Sequence, residues 1–240
     1  MKFLSFFLVL FAAFLLCADQ VKLTDGSILQ GKVKTNKGIV TIVDEDGKVF
    51  QYSIRQVSEI NGVKMEQEKN PIVRICTSEG EIECELFEDD APNTVANFIE
   101  LAEKGFYQGM AFHRIINGFM AQGGCPYSKR GATGQPGTGG PGYTFGNECS
   151  PVRTHEGRGI LSMANTGRPN SNGSQFFLCF QDCTWLNGKH TVFGKVIKGM
   201  EVLDKLEAAG TPSGVPSKDI RFSIEVVSKR NHEYKVQKAR

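Results

Sequence analysis

Glycine interrupts this chain so often that only short strands fit between its turns. The 240 residues include 27 glycines and 9 prolines, the two residue types that most often end strands and helices. Runs rich in valine, isoleucine and phenylalanine stand between them, and these residues favour β-strands. We therefore expect a mainly β fold built from many short strands.

The composition is that of a soluble globular chain with a sizeable core. Hydrophobic residues make up 40% of the chain and charged residues 22%, which is ordinary for such proteins. The formal net charge of +2 gives no reason to expect nucleic acid as a partner. The length permits one or two domains.

Residues 1–18 have the pattern of a secretory signal peptide. A basic residue, an apolar run over residues 3–16 and small residues before a polar switch at Asp19 describe such a segment. The run is short for a membrane span, so no stable membrane insertion is expected beyond it. We expect export, by secretion or into a periplasm or secretory lumen, with cleavage after Ala18. A lipid anchor on Cys17 and a retained membrane anchor are the alternatives.

Export would place the remaining six cysteines in an oxidising compartment. An even number permits disulfides without requiring them. Cys125 and Cys149 bracket a glycine-rich loop over residues 123–148, and this pair is the best disulfide candidate. The alternative is that all six are buried thiols acting as small hydrophobic groups. Cys179 and Cys183 lack partners at zinc-site spacing, so no metal site is expected.

The sequence pattern of residues 19–66 predicts a small all-β module. Short β-branched runs are joined by Asp-Gly turns at Asp25-Gly26 and Asp46-Gly47, as in hairpins. The interpretation is a strongly bent sheet or barrel that looks SH3-like or Sm-like. A peptide-binding patch and a spacer or oligomerisation role are both open. A charged segment ending at proline, residues 67–71, supplies the linker.

Residues 72–230 predict a larger β domain with two helices. Pro92 suits the first turn of a helix, and Gly105 ends that helix in the usual C-terminal manner. A second apolar helical pattern stops near Gly210, and an alternating strand closes the domain. Residues 231–240 form a charged C-terminal tail.

One stretch, residues 112–124, places a permanent charge among large apolar side chains. Arg114 stands near Phe119 and Met120, and Gln122 follows with an amide that both donates and accepts hydrogen bonds. Alternate residues of a strand share a face, so Met120 and Gln122 would lie together. An arginine beside an apolar pocket can bind a planar polar group. Taken alone, the stretch would also fit a core strand pair with an arginine reaching to water.

Three later motifs match this stretch in order and spacing. The set comprises Phe112-His113-Arg114-x-x-x-Gly118-Phe119-Met120-x-Gln122-Gly123-Gly124, Ser162-Met163-Ala164-Asn165, Asn172-Gly173-Ser174-Gln175-Phe176-Phe177 and Trp185-Leu186-x-Gly188-Lys189-His190-x-Val192-Phe193-Gly194. Together they resemble the cyclophilin signature over about residues 71–228. The resemblance implies an eight-stranded antiparallel barrel capped by two helices, with peptidyl-prolyl cis/trans isomerase activity and no cofactor. It also implies binding of proline-containing polypeptides and of cyclosporin, and we expect a monomer.

The resemblance assigns site residues motif by motif. Catalytic roles fall on Arg114, Phe119, Gln122 and His190, and substrate-binding roles on Met120, Ala164, Asn165, Gln175, Phe177, Trp185 and Leu186. Asn117 stands where the family commonly has proline, and Thr166 where it commonly has a small residue. The loop after Gly124 differs more. These departures bear on substrate and inhibitor preference rather than on catalysis.

The reaction breaks no bond, so it requires no nucleophile or metal. When the prolyl bond twists, the lone pair localises on nitrogen and gives a nearby guanidinium more to bind. We therefore expect Arg114 to stabilise the twisted bond, Gln122 to orient Arg114, and His190 to act as a wall and donor. A non-catalytic proline-peptide binder or holdase is the alternative hypothesis.

Overall fold

The computed structural model describes residues 18–36, 39–53, 56–65 and 69–239. The predicted signal segment lies outside these residues apart from Ala18. The chain divides into two compact units, Met1–Gln67 and Glu68–Arg240. Both are built mainly from antiparallel strands, as the glycine-punctuated sequence predicts.

The first unit is a single antiparallel sheet of six strands. Its order is β4-β3-β2-β1-β5-β6, with β1 (Asp19–Leu23), β2 (Ile28–Asn36), β3 (Ile39–Val43), β4 (Val49–Ser53), β5 (Val57–Ile60) and β6 (Val63–Lys64). Val21, Val40, Ile42 and Val57 are fully buried and form its core. Alternation along β3 puts Val40 and Ile42 on the core side, because successive strand residues face opposite ways.

The two Asp-Gly turns have the chemistry expected of them. Gly26 and Gly47 adopt φ of 91° and 79°, a region that glycine enters without steric cost. The Asp25 carboxylate accepts a hydrogen bond from the Ser27 amide at 2.8 Å. The Asp44 carboxylate accepts one from the Lys48 amide at 2.8 Å. These turns fix the strand register of the first unit.

The second unit contains nine strands and two helices. They are β7 (Ile72–Thr77), β8 (Gly80–Leu86), α1 (Pro92–Glu103), β9 (Met110–Ala111), β10 (Arg114–Ile116), β11 (Met120–Gly123), β12 (Ile160–Met163), β13 (Phe176–Cys179), β14 (Val192–Lys198), α2 (Met200–Ala208) and β15 (Arg221–Ser228). The sheet order is β10-β11-β13-β12-β14-β8-β7-β15-β9. The two edge strands, β9 and β10, are separated by only Phe112 and His113. They are halves of one interrupted strand, which closes the sheet into the predicted eight-stranded antiparallel barrel.

The N-terminus of helix α1 is stabilised by a proline in its first turn and by a carboxylate from a distant position in the chain. Pro92 occupies the first turn, and Glu148 accepts hydrogen bonds from the Asn93 and Thr94 amides at 3.0 and 2.7 Å. A carboxylate at this end satisfies free N–H groups and the helix dipole, a contribution of about 1 kcal/mol. Val95, Phe98 and Ile99 are among the side chains that α1 buries. No helix in the described part of the chain has the length and apolar character to cross a membrane.

An aromatic cluster fills the core of the second unit. Phe98 of α1 meets Phe176 of β13 edge to face, with ring centroids 5.4 Å apart. Phe112 packs against Phe222 of β15 at 4.6 Å. All four rings are at most 2% exposed. Tight packing of this kind fixes the position of β13 and therefore of the side chains on its other face.

The predicted Cys125–Cys149 disulfide is absent from the structure, where the six described cysteines are free thiols. The Cys125 sulfur accepts hydrogen bonds from the Gly137 and Gly139 amides at 3.1 and 3.3 Å. The Cys149 thiol instead donates to the His190 carbonyl at 3.5 Å. Each sulfur thus has a different partner. The alternative interpretation of buried thiols holds for Cys84, Cys125, Cys179 and Cys183, whereas Cys76 and Cys149 are only partly buried.

Candidate active site

A hairpin places Arg114 directly across from Gln122. The β10–β11 register pairs these two residues, so both side chains leave the same face of the sheet. Arg114 Nη1 donates to Gln122 Oε1 at 3.3 Å. The aliphatic stem of Arg114 lies close to Gly214, where a Cβ would come within 3.1 Å of Arg114 Cγ. The guanidinium is thus held by the neutral amide of Gln122.

A chain of amides continues from Gln122 to the long loop. Gln122 Nε2 donates to Gln175 Oε1 at 2.9 Å. Gln175 Nε2 in turn donates to the carbonyls of Gly137 and Gly139 at 2.8 and 2.9 Å. These bonds determine which end of each amide faces its neighbour, so the oxygen of Gln122 points at the arginine. Arg114 is therefore oriented from the far side of the site by backbone carbonyls.

An apolar pocket lies next to the guanidinium. Met120 and Phe177 are buried at its base, and Phe119, Ala164 and Leu186 are partly buried around it. The register explains the grouping, because Gln122 pairs with Phe177 across β11 and β13. The exposed Trp185 ring lies beside Phe119 with centroids 5.7 Å apart. The predicted apolar residues thus meet in one place.

His190 forms one wall of this pocket. Its ring stands nearly perpendicular to that of Phe177, with centroids 5.6 Å apart. His190 Nδ1 lies 2.9 Å from the Met163 carbonyl, which can only accept, so Nδ1 carries a proton. In the neutral form Nε2 is then an acceptor. The predicted role of His190 as a wall and donor stays a prediction, and in the neutral form the only N–H of the ring already faces the Met163 carbonyl.

Asn165 uses its side chain internally. Its Nδ2 donates to the Lys189 carbonyl at 3.0 Å, and its Oδ1 accepts from the Gly167 amide at 2.9 Å. Neighbouring Ala164 donates its amide to the Gln175 carbonyl at 2.9 Å. The Asn165 side chain therefore holds the loop together through internal hydrogen bonds.

Two histidines near the site are kept neutral by their surroundings. Burial, followed by the charge of Arg114, lowers the pKa of His113 to about 4. Burial also lowers the pKa of His155. A neutral His113 adds no second positive charge beside the guanidinium of Arg114.

His155 supports the pocket in a way that sequence reasoning missed. Its ring stacks on Phe177 at 6.0 Å with an 8° tilt. Its Nε2 lies 2.9 Å from Ser162 Oγ, and its Nδ1 lies 2.9 Å from Asn187 Oδ1. His155 thereby joins β12, β13 and the turn that carries Leu186. No local motif signals this link, since its partners are 7 and 32 positions away.

Gln122 also lines a cleft of about 740 Å³. Gln175, Ala164 and Asn165 line it together with residues 137–144 of the long loop. These residues belong to the glycine-rich loop of residues 123–148, whose length is typical of a loop at the rim of a binding site. No cluster of three or more metal-ligating side chains occurs within the described ranges.

The fold and this arrangement define a cyclophilin. The sequence pattern of the family described as cyclophilin type peptidyl-prolyl cis-trans isomerase/CLD matches residues 72–226, and the chain belongs to that family.

Known relatives agree with this assignment. A peptidyl-prolyl cis-trans isomerase of Helicobacter pylori is 49% identical over 141 residues, which cover 58% of this chain and 82% of the relative. A peptidyl-prolyl cis-trans isomerase-like 1 of Rhizopus delemar is 52% identical over 130 residues, covering 54% of this chain and 76% of the relative. The second unit is therefore a peptidyl-prolyl cis-trans isomerase domain.

A solved structure shows the same fold. The crystal structure of a Cryptosporidium parvum cyclophilin type peptidyl-prolyl cis-trans isomerase has a TM-score of 0.61 and 38% identity, covering 67% of this chain and 99% of that one. The same protein has also been solved in the presence of the dipeptide Ala-Pro. The family, the fold class and the enzyme class predicted from sequence are confirmed.

Proposed function

We propose that Arg114 stabilises the twisted X-Pro bond while Phe119, Met120, Phe177 and Leu186 hold the proline ring. The observation that carries this proposal is the guanidinium, oriented by an amide and placed beside an apolar pocket. The substrates are proline-containing polypeptides, in keeping with the Ala-Pro dipeptide of the C. parvum structure.

The chemistry follows from the electronic structure of the bond. A planar prolyl bond delocalises the nitrogen lone pair into the carbonyl, and rotation has a barrier of about 18–20 kcal/mol. Twisting returns the lone pair to nitrogen, where Arg114 donates a hydrogen bond that neither planar isomer receives as well. An acceleration of about 100,000-fold requires a barrier lowered by roughly 7 kcal/mol. A charge-assisted hydrogen bond in a site with little water supplies part of this.

The amide chain makes the arginine ready before substrate arrives. Gln122 and Gln175 link it to the carbonyls of Gly137 and Gly139. Holding the donor in position in advance avoids paying for its orientation during the reaction. Arginine stays charged at all ordinary pH values, so the mechanism needs no titrating base.

The rim of the pocket supports cyclosporin binding as part of the proposal. Trp185 is 54% exposed and lies beside Phe119. An exposed indole offers an apolar surface and an N–H donor to a peptide ligand.

We further propose that the enzyme works as a monomer on exported proteins, assisting their folding. The support is the signal-like pattern of residues 1–18. Uncatalysed prolyl isomerisation takes tens to hundreds of seconds, which is slow enough to limit the folding of a secreted chain.

The test is isomerisation of a short X-Pro peptide by the chain beginning at Asp19, with and without cyclosporin. Arg114→Ala should lower kcat/KM at least about 100-fold, as expected for loss of a charge-assisted contact in the transition state. Circular dichroism and thermal unfolding should be unchanged, because Arg114 is exposed. Full activity of the variant would disprove the arginine mechanism. Peptide binding without turnover by the unaltered chain would indicate the holdase alternative.

A further inference from the structure

The C-terminal segment, residues 229–239, is docked on the isomerase domain along its length. Tyr234 and Val236 are 7% and 8% exposed and belong to the core cluster. Glu233, Lys235 and Gln237 between and beside them are exposed. This alternation is that of an extended segment with one buried face. We call residues 229–239 the C-terminal strap.

A buried carboxylate fastens the first half of the strap. Glu88 is 5% exposed and accepts a hydrogen bond from the Tyr234 hydroxyl at 2.7 Å. His232 Nε2 lies 2.6 Å from the same carboxylate, and Arg230 pairs with Asp89 at 2.6 Å. A buried carboxylate with several polar partners holds them more firmly than surface ion pairs do.

Helix α1 guides the second half. Gln237 exchanges two hydrogen bonds with the Asn93 side chain, at 2.6 and 3.0 Å. The Val236 amide donates to Glu100 at 3.2 Å. These contacts fix the direction of the chain as it leaves the helix, and they deliver Lys238 and Ala239 to the long loop.

The end of the strap holds two residues of the cleft wall. The Ala239 amide donates to the Thr144 carbonyl at 2.7 Å. The Lys238 ammonium lies 4.4 Å from the centre of the Tyr143 ring, within the range of a cation–π contact. Tyr143 and Thr144 both line the cleft beside Gln122. The strap therefore contacts two residues that line the cleft.

Helix α1 holds the same wall from a second direction. The Tyr143 hydroxyl donates to Asn97 Oδ1 at 2.8 Å, and Asn97 Nδ2 donates to the Gly173 carbonyl at 2.9 Å. Asn97 is fully buried and cannot turn away. Gly173 also lines the cleft. Tyr143 is thus clamped between a fixed amide and the strap, and removal of the strap leaves its ring supported on one side only.

We propose that the C-terminal strap sets the shape of the cleft, with Lys238 and Ala239 acting as positioning residues for Tyr143 and Thr144. The cleft then selects among the side chains that flank the substrate proline. Lys238 and Ala239 contact Tyr143 and Thr144 rather than Arg114 or the side chains proposed to hold the proline ring, so the proposal concerns selectivity rather than bond rotation. It rests on the proposed function of the site.

The experiment compares the chain with a truncation after Gln237 and with Lys238→Ala. Both keep Tyr234 and Val236 and so keep the strap docked. Isomerisation is measured on a peptide series with either small or bulky residues on each side of the proline. We expect KM for the bulky peptides to change about 2- to 5-fold, the scale of one cation–π contact. The kcat and KM for the small peptides should not change.

Two further variants separate positioning from simple loss of charge. Lys238→Arg retains a cation over the Tyr143 ring and should restore the parent selectivity. Lys235→Ala removes an exposed charge from the same strap and should leave every constant unchanged.

Several outcomes would overturn the proposal. One is an unchanged KM pattern in both test variants, and another is a lower melting temperature with equal effects on all peptides. The latter would make the strap structural only. Activity of the parent chain on the small peptides tests the proposed function independently, so failure of one can be told from failure of the other.

Discussion

Adjacent phenylalanines on β13 face two different environments. Phe176 belongs to the closed core with Leu178, whereas Phe177 belongs to the pocket with Cys179. The same alternation divides β11, where Ala121 faces the core. Two faces of the same strands therefore perform separate tasks. The core face fixes the backbone, and the site face relies on that fixed backbone to place polar groups beside apolar ones.

The difference between the two faces explains how the side chains of the site are held in fixed positions. The site face contains Arg114, Gln122 and Gln175. The Arg114–Gln122 bond of 3.3 Å crosses the β10–β11 hairpin, and the Gln122–Gln175 bond of 2.9 Å joins positions 53 residues apart. Such contacts persist only if the strands beneath them do not shift. The aromatic core, with Phe98 and Phe176 in edge-to-face contact, supplies that rigidity.

The largest effect should come from a matched pair of alanine substitutions, one on each face of β13. Phe176→Ala leaves a cavity among packed rings and should lower the unfolding free energy by about 3–5 kcal/mol. Phe177→Ala should cost less stability, because its ring belongs to the smaller apolar cluster rather than to the main core, but should raise KM for prolyl peptides. Denaturant unfolding and steady-state kinetics measure both. Equal stability losses and equal kinetics would remove the distinction between the faces.

A second prediction concerns the pH dependence of the unfolding free energy. It sharpens the comparison because His113 directly precedes Arg114 of the site. Its pKa of about 4 in the folded chain lies below the usual 6.5, so the unfolded chain takes up the proton first. The unfolding free energy should be unaffected above pH 6.5 and fall by up to about 3 kcal/mol as pH drops towards 4.

Denaturant unfolding between pH 4 and 8 measures this slope, and His113→Gln should flatten it. His155, whose pKa is also lowered, leaves a residual slope of the same sign. His232 acts oppositely, because the Glu233 carbonyl and the Glu88 carboxylate raise its pKa. Its contribution is complete below pH 6.5 and is lost as pH rises through the folded pKa. An unchanged slope in His113→Gln would contradict the assignment.

The smallest effect is expected at the amide that orients the arginine. Gln122→Ala removes the acceptor of Arg114 and the donor to Gln175. We expect kcat/KM to fall about 10-fold, with most of the loss in kcat, because orientation matters chiefly in the transition state. Gln122→Glu serves as the comparison, since it keeps the acceptor and loses the donor. A loss confined to KM would assign Gln122 to ground-state binding instead.

The sequence predicted those parts of the molecule whose signals are local. Asp-Gly turns marked the hairpins of the first unit, and the motif around Arg114 marked the β10–β11 hairpin. The alternation of Met120 and Gln122 gave the site face of β11 directly. Here the spacing of two residues in a strand is itself the structural information.

What the sequence did not predict depends on contacts between distant positions. The C-terminal strap was interpreted as a charged tail, although the spacing of Tyr234 and Val236 was a usable signal. The Cys125 sulfur found backbone amides of its own loop rather than a second thiol. The link from His155 to Asn187 has no local pattern at all. Such partners become visible only when the barrel brings them together.

The interrupted strand of residues 110–116 also bears on the order in which the strands of the barrel pair. Its first half pairs with β15, whose residues lie close to the C-terminus, and its second half pairs with β11. Strand β7, the first of the barrel, likewise pairs with β15. Loop closure over such separations is slow compared with local pairing. We therefore expect the barrel to close only after β15 has been synthesised, whereas the β10–β11 hairpin that carries Arg114 can pair earlier.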